Sequence, residues 1–222
     1  MMKANKIIAL LLALVMMLTL FAGCGSSGSN EKDGSNGEGT TSAVAKNDND
    51  NIVKADNTDS DTSHPLRGKI KGNTYTNEFA DITFTKFNGS EFSYINVPTS
   101  DTEFDKQLKD YGTAIDMEYE YSDVSLSVSI EDLTVANSAN TTETDYLEML
   151  KDEFSQFSYK FSDIYNKNIS DHTYYVIDST VLNGSTTVFQ RYYLRKKDNY
   201  MIEILMSATA ENSFITMENM FS

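Results

Sequence analysis

The sequence predicts an α+β fold in which a single antiparallel sheet carries helices packed against it. Three observations predict it. Residues 115–121 and 124–130 alternate apolar and polar on either side of Ser122-Asp123, the period of paired strands with one wet face. Asn183-Gly184 separates two further runs, 173–182 and 186–194, rich in β-branched and aromatic residues; Asn-Gly between such runs is the strongest short-range hairpin signal. Apolar residues spaced three or four apart recur between the strand runs at Phe104, Leu108 and Tyr111, at Leu147, Leu150, Phe154 and Phe157, and at Phe214, Met217 and Phe221. Helices alternating with antiparallel runs pack as α+β layers.

The elements follow in order. Tyr75–Phe79 and Ile82–Thr85 read as short strands around Ala80-Asp81, Asn88-Gly89 as a turn, and Phe92–Val97 as a strand that Pro98 stops. Ser100 and Glu103 have the spacing of a capping box, and Gly112 offers a C-terminal stop to the helix they open. The long alternating hairpin follows. Glu143 and Asp145 then stand at the start of the second helix, where its dipole favours negative charge, with Tyr146 and Met149 beside its apolar stripe. After the Asn183-Gly184 hairpin, Lys196–Asn199 turns the chain into a strand over 200–207. Thr209 is placed to cap the closing helix.

The amino-terminal end reads differently. Lys3 and Lys6 precede an uncharged stretch of about 16 residues, from Ile7 to Ala22, and the chain's one cysteine, Cys24, comes directly after Ala22-Gly23. A short basic region, an apolar core and small residues before a cut form a secretory leader. A bilayer span takes about 20 apolar residues, and here Gly25-Ser26-Ser27-Gly28 follows in place of basic stop-transfer residues. Leu20-Phe21-Ala22-Gly23-Cys24 resembles the lipobox of bacterial lipoproteins. That resemblance implies cleavage before Cys24, a diacylglyceryl group on its thiol and attachment to the outer face of the cytoplasmic membrane. Phe21 stands where that family favours leucine. More than one acyl chain is what durable anchoring requires, each buried CH₂ contributing about 0.8 kcal/mol.

Residues 1–23 are thus read as a lipoprotein signal peptide, 24–65 as a disordered tether and 66–222 as one folded domain. The tether is built of Gly, Ser, Asn, Asp and Thr with almost no large apolar residues, so burial cannot offset its ordering entropy. A flexible chain of about 40 residues spans roughly 35 Å, which lifts a domain clear of the head groups. The tether's acidic residues and His64 lack the glycine and the final glutamate of a calcium loop. With no second cysteine, the exported domain has no disulfide to form within itself.

Lys+Arg 18 against Asp+Glu 33 gives a formal charge of −15, and removing Lys3 and Lys6 with the leader makes it −17 (16 against 33). Such a polyanion is repelled by phosphate backbones, and no nucleic-acid partner is expected.

The chemistry-bearing residues are sparse. His64 and His172 are the histidines. No Gly-x-Ser-x-Gly elbow accompanies them, and Ser170 is too close in the chain to His172 to act as its nucleophile. A catalytic zinc would need three ligands, from a domain with one histidine and no cysteine. Asp116, Glu118 and Glu120 fall on one strand face about 7 Å apart, near the separation of inverting glycosidase acids, although an exposed acidic face gives the same pattern; that face is also the candidate divalent-ion site. Tyr174-Tyr175 and Tyr192-Tyr193 put a ring on each face of the sheet, for stacking on cell-wall sugars or for core packing. Met201, Met206, Met217 and Met220 read as gap-fillers between sheet and helix.

No catalytic, cofactor or metal residue is assigned, and Cys24 is the one assigned site, for lipidation. The order of elements and the opening Asn73-Thr74-Tyr75-Thr76-Asn77 resemble the PsbP-like α/β/α sandwich of small exported proteins, which implies a non-catalytic accessory or binding module. The expected partners are the membrane, through the covalent lipid, and a protein, peptide or cell-wall component. A small-ligand or divalent-ion sensor serving a membrane complex is the alternative reading, and a cell-wall hydrolase the remaining one.

Overall fold

The structure is a computed structural model that describes residues 63–87, 94–98, 100–135 and 138–222. The leader, Cys24, the tether up to residue 62 and the Asn88-Gly89 turn lie outside the described residues.

Eleven strands and three α-helices are found among the described residues. Strands β1 (Lys69–Lys71), β2 (Thr74–Asn77) and β3 (Ile82–Thr85) form a three-stranded sheet in that order. A second, eight-stranded antiparallel sheet runs β4 (Tyr94–Asn96), β5 (Thr113–Tyr121), β6 (Val124–Asp132), β11 (Tyr200–Ala208), β10 (Thr186–Lys197), β9 (His172–Asn183) and β7 (Lys160–Phe161), with β8 (Tyr165–Ile169) also paired to β9. The single sheet expected from the sequence is therefore corrected to two. The reason is physical: which distant strands pair is not written in local alternation, and β1 carries one apolar residue, Ile70, between two lysines.

Helix α1 (Asp101–Tyr111) follows β4, α2 (Glu143–Phe154) follows β6, and α3 (Ser213–Glu218) closes the chain. Ser100 Oγ accepts from the Glu103 amide, and Gly112 ends α1 in the left-handed region at φ 83°, donating to the Leu108 carbonyl. Thr142 and Asp145 cap α2 reciprocally, side chain to backbone in both directions. Thr209 does not cap α3. It donates instead to Asp123 at 2.5 Å, and Asn212 precedes the helix without a side-chain cap.

Both faces of the large sheet are covered. Val128, Tyr174, Val176, Tyr193, Ile202, Ile204 and Met206 pack against Ile70, Tyr75, Ile82 and Phe84 of the small sheet and Phe214 and Met217 of α3. Tyr192, Leu194, Met201 and Leu205 point the other way, onto Tyr146, Leu147, Leu150 and Phe154 of α2. A third cluster joins Leu66, Phe104 of α1, Ala114 and Ile130. Tight two-residue loops link β5 to β6 and β10 to β11, with Ser122 and Asp198 at positive φ. Gly184 has φ 60° between β9 and β10. The small sheet is tied to the chain's far end: Phe84 bridges Phe221, and Ser222 donates to the Thr83 carbonyl.

Candidate functional site

A β-bulge reshapes the acidic strand. Ile115 pairs with Ser129 and Met117 with Val128, leaving Asp116 as the extra residue. Asp116 and Met117 consequently both turn toward the small sheet, and Asp116 is fully buried. The expected face of Asp116, Glu118 and Glu120 is thereby corrected: the bulge resets the two-residue period and removes Asp116 from it. The glycosidase pairing and the ion site that used Asp116 on that face go with it.

Asp116 instead fastens the segment that leads into β1. Its Oδ2 accepts from the Gly68 amide at 2.8 Å, from Asn77 Nδ2 at 2.6 Å and from the Tyr75 hydroxyl. Asn77 is fully used, its Nδ2 also donating to the Leu66 carbonyl and its Oδ1 accepting from the Ala80 amide. Gly68 is required here: a Cβ would lie 2.3 Å from Tyr75 Cε2. Arg67 donates to Asp101 at 2.5 Å and to the Pro98 carbonyl at 2.6 Å, with Phe104 beneath its guanidinium. Burial raises the Asp116 carboxyl above the usual range, outweighing the donors from Tyr75, Asn77 and Gly68 and the charge of Arg67.

His64, assigned to the tether from sequence, packs on α1: Nε2 lies 3.0 Å from Asp105 Oδ1, Nδ1 accepts from the Leu66 amide, and the ring meets Phe104 edge-on.

A second acid centre lies on the opposite face. Tyr146 of α2 donates to Glu131 Oε2 at 2.5 Å. Glu203 sits diagonally from Glu131, since Ser129 pairs with Glu203 and Glu131 with Met201. Burial lifts Glu131, against the bond from Tyr146, and burial together with the Glu131 charge lifts Glu203 to about 8. Glu203 therefore keeps its proton at neutral pH. The alternating serines of β6 disguised this face as wet, although Ser127, Ser129 and Glu131 are all buried. The signal in the sequence was a lone glutamate, Glu203, inside the apolar run Tyr200–Met206.

A third network joins β8, β9 and β10 to α3. Arg191 forks onto Asp178 (2.5 and 3.3 Å) and Glu218 (2.9 Å), while Lys167 at 2.7 Å and Tyr193 also donate to Glu218. Burial pushes the Glu218 carboxyl up, but its bonds from Lys167, Tyr193 and Arg191 hold it below the usual range.

His172 opens β9 and is half-buried. Of the four tyrosines considered for sugar stacking, Tyr174, Tyr192 and Tyr193 are core residues and Tyr175 is exposed. Exposed aromatic surface occurs elsewhere. Phe157 is exposed and lies 6.2 Å from Phe154, which also meets Tyr159 at 4.9 Å; Tyr159 and Phe161, both half-buried against the α2 core, stack at 6.0 Å with planes 18° apart. Among the described residues no group of three His, Cys, Asp or Glu side chains is placed to hold a metal ion, and no helix is long and apolar enough to cross a membrane.

No protein-family model matches the sequence, and no curated protein matches it. Several solved structures overlap part of the fold, two among them as follows. The solution structure of cyanobacterial PsbP (CyanoP) from Synechocystis is 16% identical, with 67% of this chain and 90% of that chain covered and a TM-score of 0.40. The crystal structure of LpqN, described as involved in cell envelope biogenesis of Mycobacterium tuberculosis, is 10% identical, with 60% and 80% covered and a TM-score of 0.31.

Proposed function

We propose that this chain is an exported lipoprotein, held at the outer face of the bacterial cytoplasmic membrane through Cys24, whose folded body makes contacts without catalysing a reaction. The observation that carries the reading is the succession Lys3/Lys6, apolar Ile7–Ala22, Gly23-Cys24 and then a long polar stretch before the first core residue, Leu66. The polar centres favour a non-catalytic role. Asp116 is spent fastening the chain to β5, and Glu218 and Asp178 are spent on Arg191. The contact surface is assigned to the end of α2, where Phe157 is 45% exposed and the half-buried, near-parallel rings of Tyr159 and Phe161 pack on the same core. Rings on a rigid edge offer a peptide or a cell-wall sugar large contact area at low entropic cost.

Two measurements test this in intact cells. Cys24→Ala should move the protein out of the membrane fraction or leave it uncleaved, and mass spectrometry of the parent should show a diacylglyceryl-sized increment on Cys24. Unchanged fractionation and an unmodified thiol refute the anchor. A photo-crosslinker at position 157 should give discrete adducts that one at exposed Leu182 does not. Equal labelling from both positions refutes the aromatic contact surface.

A further inference from the structure

The two faces of the large sheet are buried on different terms. Toward the small sheet, β6 and β11 present Leu126, Val128, Ile202 and Ile204. Toward α2 the same strands present Ser127, Ser129, Glu131, Glu203 and Ser207, all buried, among Met201 and Leu205 of the helix-facing core. Part of this polar floor is bonded within the sheet. Gln190 of β10 accepts from the Ser179 hydroxyl at 3.3 Å and the Tyr192 hydroxyl at 3.2 Å, and donates to Ser207 at 3.4 Å. Glu131 and Glu203 are too close and too dry to be charged together. They are 4% and 7% exposed and lie diagonally across adjacent strands, because Glu131 pairs with Met201 and Glu203 with Ser129, a spacing of about 7–8 Å. Burial penalises each ionised form, and a like charge so near penalises the second further. Tyr146 of α2 donates to Glu131 at 2.5 Å, so Glu131 is the one suited to carry charge and Glu203 the one that holds the proton. The titratable groups around them are Asp132 on β6, Tyr192 on β10, and Tyr146 and Glu153 on α2, acids all. Lys196, at the end of β10, spends its Nζ on the Ala139 and Thr141 carbonyls at 2.6 and 3.0 Å. The lift of Glu203 to about 8 by burial and the Glu131 charge accords with that assignment.

We propose that α2 is a proton-gated lid: it lies on the sheet while Glu203 keeps its proton and parts from it, with the strands intact, when that proton is lost. An ionised Glu203 must reach water, and two routes lead there. One breaks β11, which is laddered to β6 and β10 along its whole length from Tyr200 to Ala208. The other raises α2, which is held by one apolar face, by Tyr146 and by Glu143 accepting from the Lys196 amide at 2.9 Å. Elements with the smaller set of buried contacts open first, so the helix yields. The serines and Gln190 that opening uncovers keep their bonds within the sheet, which limits the cost of the open state. The gate depends neither on the lipid at Cys24 nor on the contact role of Phe157.

The test is native-state hydrogen exchange on the detergent-solubilised full chain, in rising sub-denaturing urea at pH 6 and pH 8, with rates corrected for intrinsic base catalysis. Amides 147–154 of α2 should open with a smaller urea dependence than those of β10 and β11, because a lid exposes less surface than the whole fold does. Their opening constant should rise about tenfold or more from pH 6 to pH 8, since the raised state gives up a proton that the closed state holds. In Glu203→Gln the small urea dependence should remain and the pH response disappear. Equal urea dependence in α2 and the strands overturns the lid, because α2 then opens only with the fold. An opening constant indifferent to pH, or a pH response retained in Glu203→Gln, overturns the gate. Should Glu203→Gln fail to fold, the urea and pH dependence of the parent decide the matter.

Discussion

Glu203 lies under α2 with Glu131 as its diagonal neighbour on β6, Tyr146 above, and Tyr192 on the same sheet face. Glu153 of α2 also acts on Tyr146. Burial and the Glu131 charge hold Glu203 at about 8 in the folded state, against an ordinary 4.5. The folded chain therefore keeps a proton that the unfolded chain releases. Stability must fall as pH rises through the window from about 4.5 to about 8, and each tenfold difference in proton affinity between the two states is worth about 1.4 kcal/mol. Glu203→Gln removes this dependence. Urea unfolding at several pH values should show the variant gaining on the parent by a few kcal/mol between pH 5 and pH 8, with little difference at pH 4. Parallel curves for the two proteins would refute the assignment. Glu218 acts in the opposite sense: its carboxyl is held low by Lys167, Tyr193 and Arg191 against burial, and its contribution is present above its ordinary range and lost as pH falls below it.

At the scale of elements, local chemistry decided what the sequence could show. Ser100, Phe104 and Gly112 each act at α1 as their spacing implied, and Ser122-Asp123 turns β5 into β6 as alternation on both sides required. Gly112 sits at φ 83°, where a Cβ is strained, and the added carbon itself would meet only ordinary contacts with Val135 at 3.6 Å. Gly112→Ala should therefore cost about 1 kcal/mol through backbone conformation, read as a lowered denaturant midpoint with unchanged m-value. What stayed hidden has physical causes. Ile115-Asp116-Met117 continues the apolar-polar alternation without a break, so nothing local marks the bulge that buries Asp116. Strand β8 reads Tyr-Asn-Lys-Asn-Ile, a polar edge strand specified by pairing with β9 and not by its own pattern. The candidate centres were less legible than the elements, because Asp116 meets Gly68 and Tyr75, and Glu203 meets Glu131, only after distant strands are in register.

Over the whole molecule, the large sheet is shielded by α2 on one side and by the small sheet with α3 on the other. The small sheet is secured from both chain directions: Asp116 holds the approach to β1, and the tail holds β3. The Phe221 ring packs edge-on to Phe84 at 5.1 Å and is 8% exposed. Phe221→Ala should cost about 3 kcal/mol, toward the low end for a buried phenylalanine near a terminus. Thermal unfolding should show the loss, and hydrogen exchange should show it falling on residues 74–85 before β9–β11. Uniform loss of protection throughout would contradict this arrangement.

The pairing of Phe84 with Phe221 also sets a timetable. A chain that emerges amino-terminus first delivers β3 long before its partner, so closure of this layer waits until Phe221 has appeared. Contacts between such remote segments make for slow folding, and until Phe221 arrives the Phe84 ring lacks one of the two aromatic neighbours that cover it.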